Sequence, residues 1–257
     1  PAGESATGPG NTRLLLVLRK YFLSSANSRE HEMAFFFRRS AEAVGIEVLF
    51  FPAEPFLNPA SVTPDQQYAE LDRLARLILE RRPDLVVFDN LGMPAKGGEY
   101  VGREVYRSVF ADLKSKRNFK LVAHYADAWA PHSEATIRFV ASWADVIWHQ
   151  NSEIKPGPAG PGLAKTFHAP TPYLENLFRN PANVKDINAA FVGGVFDYNH
   201  PRAHWLTLMN AGGFPCQIFL TNHTTARCSA GASVEEYAAF MSRLKISVNF
   251  SSRNAKK

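Results

Sequence analysis

Cysteine is scarce: Cys216 and Cys228 are the two in 257 residues, with no companion Cys or paired His at metal-ligand spacing. That excludes a disulfide-stapled scaffold and points to a reduced, cytoplasmic setting. Long apolar runs are missing too. None approaches the roughly 18 residues needed to cross a bilayer, so no transmembrane segment is expected, and peripheral membrane contact stays open. The polar opening PAGESATGPGN carries no basic-then-apolar leader pattern. Neither GxGxxG nor the P-loop pattern occurs, which argues against a standard dinucleotide site or a P-loop NTPase. The eight histidines form no HExxH, so no metal is expected, and there is no GxSxG elbow to suggest a hydrolase. A dominant charge sign is also lacking: 29 Lys+Arg against 24 Asp+Glu leave +5. The local basic clusters, Arg81-Arg82, Lys114 to Arg117 and Lys256-Lys257, read as solvated helix ends and a tail. The mild excess suits a phosphate-bearing small molecule and does not call for nucleic acid.

What is present is ordinary globular composition, 46% hydrophobic and 21% charged. Short continuous apolar runs alternate with longer amphipathic segments. Arg13 to Leu18 reads as a strand buried on both faces, Asp84 to Asn90 as another buried strand, and Ile46 to Phe51, Phe119 to Tyr125 and Asp145 to Gln150 as further strands. Between them the spacing predicts helices over Glu30 to Val44, from Thr63 to the stop at Pro83, over Val101 to Leu113 and over Ser133 to Trp143. Thr63-Pro64-Asp65-Gln66 opens its helix with an N-cap, a proline at the first position and a capping-box glutamine. Such alternation predicts an α/β fold with an open, mostly parallel sheet.

After Gln150 the texture becomes proline- and glycine-rich, from Lys155 to Gly162 and again at His168 to Tyr173, as domain junctions often are. The alternation then resumes with a strand over Ala189 to Val195, a helix over Pro201 to Gly212 and a strand over Pro215 to Leu220. A capping box at Ser233 to Glu236 opens a helix to Arg243, and a strand follows over Lys245 to Phe250. The organisation expected is a flexible segment 1–12, a Rossmann-like domain 13–150, a linker 151–187 and a second Rossmann-like unit 188–257.

In doubly wound sheets, ligands bind beyond the carboxyl ends of the strands. After the first strand, Ser24, Ser25, Asn27 and Arg29 suit an anion or polyol at a helix N-terminus, or else form a plain polar loop. After the fourth, His124 and Asp127 suit general-base or sugar-hydroxyl contacts. Equally, His124 could bond a neighbouring loop and Asp127 could cap the next helix. After the restart, Gly193 and Gly194 permit close backbone approach, and Arg202 opens the next helix, a combination that suits a phosphate. A tight turn with a surface arginine is the plainer reading.

The segments AFVGGVFDYNHPRAHWLTLMNAGG and SVEEYAAFMSRLKISVNFSSRN resemble the C-terminal half of GT-B glycosyltransferases. They look closest to the spore-maturation, CgeB-like branch of the glycosyltransferase-4-like group. The resemblance implies two Rossmann-like doubly wound domains, with a nucleotide-sugar held mostly on the second and an acceptor glycan or small molecule on the first. Gly193, Gly194 and Arg202 would lie near the donor diphosphate, Ser251, Arg253 and Asn254 near the nucleotide, and His124 and Asp127 would face the transferred sugar. No metal or other cofactor is implied. In that group a carboxylate-bearing donor helix follows the position of Asn254, so the second domain is expected to be incomplete here. A basic residue often follows the strand glycine, where this chain has Val195. A non-catalytic nucleotide- or sugar-binding protein on the same scaffold is the alternative. Sugar, base, acceptor, anomeric outcome and oligomeric state are left open.

Overall fold

The computed structural model describes residues 12–20, 31–57, 62–93, 101–126, 131–150, 165–170, 172, 174–178, 184–193, 201–214, 216–220 and 233–248. The described residues through Pro172 form one compact unit, and those from Leu174 onward form another.

The first unit is built on six parallel strands: β1 Arg13–Leu18, β2 Glu47–Pro52, β3 Leu85–Asp89, β4 Lys120–Tyr125, β5 Val146–His149 and β6 Lys165–His168. Their spatial order is β2-β1-β3-β4-β5-β6. The helices are α1 Glu32–Ala43, α2 Glu54–Leu57, α3 Pro64–Arg81, α4 Arg103–Lys116 and α5 Pro131–Ala141. The continuous apolar strands follow from burial on both faces. Leu15, Val17, Val86, Phe88, Leu121, Ala123 and Ile147 pack against α3, α4 and α5 through Leu74, Ile78, Phe110 and Val140. Their strand neighbours Leu14, Leu16, Leu18, Val87 and Val122 pack on Phe37 and Ala41 of α1. Alternation along each strand thus divides its side chains between two cores.

α3 begins as the sequence indicates. The Thr63 hydroxyl accepts from Gln66 N at 3.2 Å, and the Gln66 side chain accepts from Thr63 N at 2.8 Å. Arg82 ends the helix in the left-handed region at φ 54°, just before Pro83.

Two elements go beyond the sequence reading. α2 is a single turn with Pro55 in its N-terminal turn, and it exists to bury Phe56 between Phe51 and Phe88. β6 falls inside the stretch read as linker. It is a sheet edge with all four residues exposed, Phe167 at 55%, so it carries no apolar run to reveal it.

The second unit holds a three-stranded parallel sheet in the order β8-β7-β9, formed by β7 Ile187–Gly193, β8 Gln217–Leu220 and β9 Leu244–Val248. α6 Pro201–Ala211 covers Phe191 with Leu206. α7 Val234–Ser242 is capped by the Ser233 hydroxyl, which accepts from Glu236 N at 3.1 Å. Phe240 and Met241, at its end, pack with Ile187, Ala190 and Leu244. Outside the sheet, Phe178 of a 3-10 turn at Glu175–Phe178 meets Tyr237 edge to face at 6.4 Å.

Candidate functional site

Strand order locates the switch points. In the first sheet the chain leaves β1 for β2 on one side and returns to β3 on the other, so the crevice rule points to the carboxyl ends of β1 and β3. In the second sheet β7 is flanked by β8 and β9, so the corresponding place is the carboxyl end of β7.

In the first unit, polar side chains close three adjacent strands at that edge. Asp89 is the last residue of β3, His124 stands one before the end of β4, and Gln150 directly follows β5. Parallel register sets Asp89 beside His124. His124 Nδ1 lies 2.9 Å from Asp89 Oδ1, and its Nε2 lies 3.1 Å from Gln150 Nε2. The carboxylate can only accept, so Nδ1–H donates to it, while Nε2 faces the glutamine amide. The histidine ring is edge-on to Phe37 and Trp148, at 5.3 and 5.0 Å between centroids. Asp89 is 2% exposed and His124 0%, so the pair is fully withdrawn from water.

The turn after β3 fixes this arrangement. Asn90 adopts φ 54° and Gly92 φ 71°. Asn90 N donates to His124 O at 2.8 Å, and Asn90 Nδ2 reaches Asp89 Oδ2 at 3.2 Å. A Cβ on Gly92 would sit 3.3 Å from the Val140 side chain, so the left-handed turn also needs the missing side chain for closeness. Tyr125 donates its hydroxyl to Leu91 O at 2.7 Å. Burial, with a smaller contribution from the Asp89 charge, pushes that phenol far above its usual range, so it acts only as a neutral donor.

In the second unit, β7 ends at Gly193, and α6 starts at Pro201. The backbone of residue 202 lies in the first turn of α6; its side chain is outside the described residues. Also outside them are Gly194, Asp127, Ser251, Arg253 and Asn254, together with Ser24, Ser25, Asn27 and Arg29. Of the residues singled out from the sequence, His124 and Gly193 therefore have described surroundings, each at the carboxyl edge of its own sheet. Sequence reasoning passed over Asp89 and Gln150. The signal was available: Asp89, His124 and Gln150 are the polar residues at the ends of three successive buried runs.

Among the described residues, no group of three or more His, Cys, Asp or Glu could hold a metal ion. No helix among them is long and apolar enough to cross a membrane.

No protein-family model matches this sequence, and no curated protein matches it in sequence. In fold the chain is similar to an α-glucosyltransferase solved in complex with UDP and a 13-mer DNA containing a central A:G mismatch. The likeness spans 95% of this chain and 73% of that one, with a TM-score of 0.52 and 12% sequence identity. The architecture is thus an α/β fold of parallel, doubly wound units like that GT-B glycosyltransferase.

Proposed function

We propose that the protein is a glycosyltransferase that moves a sugar from a nucleotide-sugar donor to an acceptor hydroxyl on a glycan or small molecule. The observation that carries this reading is the end of β7. The middle strand of a parallel sheet stops at Gly193, Gly194 follows, and α6 then opens with Arg202 in its first turn, within a fold similar to a UDP-bound glucosyltransferase. In the transfer, the bond between the anomeric carbon and the diphosphate oxygen breaks, and the electron pair leaves with the diphosphate. A bond forms from the acceptor oxygen to that carbon, and the acceptor proton passes to a base. Charge therefore grows on the leaving diphosphate. Backbone N–H groups at a helix start plus an arginine stabilise such charge without a metal.

The remaining assignments belong to the same reading. Ser251, Arg253 and Asn254 hold the nucleotide, and the acceptor lies on the first unit near Ser24, Ser25, Asn27 and Arg29. Asp127 serves the sugar side, and His124, which is fully buried, acts there through its neighbours. The motifs over residues 190–213 and 233–254 support the narrower CgeB-like assignment, and the scarcity of cysteine suits a cytoplasmic location.

Thermal melting with UDP, GDP and ADP tests the reading. A ligand that binds only the folded state raises the melting temperature by mass action, so at least one nucleoside diphosphate is expected to do so. Arg202→Ala is expected to weaken that ligand by about 1–3 kcal/mol, the range for a charged hydrogen bond. No shift with any of the three sinks the proposal. Binding without sugar release from any nucleotide-sugar would instead indicate the non-catalytic binding protein.

A further inference from the structure

Four cations of the first unit stand at one edge of its sheet and have no described counter-charge. Arg81 and Arg82 close α3 before β3, Arg117 closes α4 before β4, and Lys165 opens β6. α3 and α4 pack on the same face and connect parallel strands, so both finish at the amino edge. Parallel register keeps the strand starts nearly level, with Leu85 beside Lys120 and Val146 beside Lys165. Arg81, Arg82 and Lys165 are exposed, and Arg117 is half-buried. The neighbouring cations are matched: Arg13 by Glu47 at 2.9 Å, Lys116 by Asp112 at 2.7 Å, and Lys114 and Lys120 by Asp145 at 2.7 and 3.7 Å. None of the four meets a carboxylate at ion-pair distance among the described residues. On this face of the edge the remaining acids are Glu80 and Asp84, so positive charge stays in excess.

We infer that this edge docks the protein on a membrane surface that carries acidic phospholipid headgroups. Basic side chains here offset the last carbonyls of α3 and α4, and those carbonyls disfavour a single tightly held phosphate. A surface of many headgroups is instead attracted by the summed charge. Val44 selects lipid over nucleic acid. It closes α1 just before β2, the outermost strand of the same edge, and is 60% exposed. An aliphatic side chain beside cations gains by entering the headgroup region and offers nothing to a phosphodiester backbone. The exposed rings Tyr68 and Phe167 lie away from this edge, Tyr68 near the start of α3 and Phe167 beside Trp148, so neither could stack a base there. Docking by the amino edge leaves the carboxyl ends of the strands open to ligands, and it holds whether or not the protein transfers sugars.

Co-sedimentation of the full chain with vesicles tests this, using phosphatidylcholine alone and with about 30% phosphatidylserine. The chain is expected to bind the acidic vesicles at low salt, to release them at about 0.5 M salt, and not to bind the neutral ones. Replacing Arg81, Arg82, Arg117 and Lys165 together by Gln is expected to weaken binding at least tenfold, since one cation near an acidic surface is worth about fivefold. Val44→Ser is expected to weaken it about threefold. Melting temperatures are expected to match the native chain, and if the quadruple variant fails to fold, Lys165→Gln alone carries the test at about fivefold. Equal binding to both kinds of vesicle would overturn the inference, as would native binding by the charge variant. Tighter binding to duplex DNA than to acidic vesicles, with Val44→Ser without effect, would assign the edge to nucleic acid instead.

Discussion

The two edges of the first sheet solve the same problem in opposite ways. At the amino edge the polar groups are charged, wet and for the most part paired. Arg13 reaches Glu47 at 2.9 Å and Arg81 O at 2.6 Å, while its backbone N–H donates to Asp84 at 2.8 Å. Asp145, just before β5, accepts from Leu121 N and Lys114 Nζ, both at 2.7 Å, with Lys120 at 3.7 Å. These contacts tie neighbouring strand starts to each other and to the end of α4, and their side chains remain partly exposed. At the carboxyl edge, among the described residues, Asp89 and His124 are buried and are joined in a line to the half-buried Gln150. Exposed pairs are replaceable, because water takes over when a partner is lost. A buried pair is not replaceable in that way, because no water can reach the group left behind.

The strongest way to break the contrast is Asp89→Ala. It leaves a buried imidazole N–H without its acceptor, and an unsatisfied buried donor costs about 1–3 kcal/mol. Asp89→Asn retains an acceptor oxygen and is expected to cost clearly less. Urea denaturation of both variants checks this, and a loss under about 1 kcal/mol in Asp89→Ala would put the buried pair on the footing of a surface one.

Asp145 comes next. Although partial burial acts to raise its carboxyl, the Leu121 N–H and the Lys114 ammonium outweigh it and hold the group below the usual carboxylate range. A carboxyl depressed in the folded state stabilises above its unfolded pKa, near 3.9, and that contribution fades as pH falls through the folded value. Asp145→Asn is therefore expected to lose about 1 kcal/mol at neutral pH and to show a shallower loss of stability between neutral pH and the acid limit. Equal acid slopes in the two proteins would show that the Asp145 carboxylate does not contribute to stability.

The smallest effect sharpens the contrast from the other side. Arg13→Ala, at the exposed pair with Glu47, is expected to change stability by no more than about 1 kcal/mol and to lose part of that difference at high salt. A change as large as that of Asp89→Ala would erase the distinction between the edges.

How far the sequence leads differs between these regions for physical reasons. Strands buried on both faces must be continuously apolar, so β1, β3, β4 and β5 could be read directly, as could the α3 cap at Thr63 and Gln66. β6 escaped because an exposed edge strand needs no apolar pattern, and α2 because a single turn has no period. The strand-end positions of His124 and Gly193 were legible because each closes a continuous apolar run. The link from His124 to Asp89 and Gln150 was not. It depends on which strands lie side by side, and the order β3-β4-β5 is a property of the fold. Asp89 and Gln150 could be read as the last polar residues of their runs, but the register that joins them to one histidine exists only in three dimensions.

On the proposed reading, ligands meet both sheets at the carboxyl ends of their strands. Amide hydrogen exchange with and without UDP, read along the whole chain, tests it most directly. Slowed exchange is expected at the end of β7 and the start of α6, residues 191–193 and 202–205, with the amino-edge residues 13–15, 120–121 and 145–147 unchanged. Protection concentrated at the amino edge, with residues 191–205 unaffected, would contradict it.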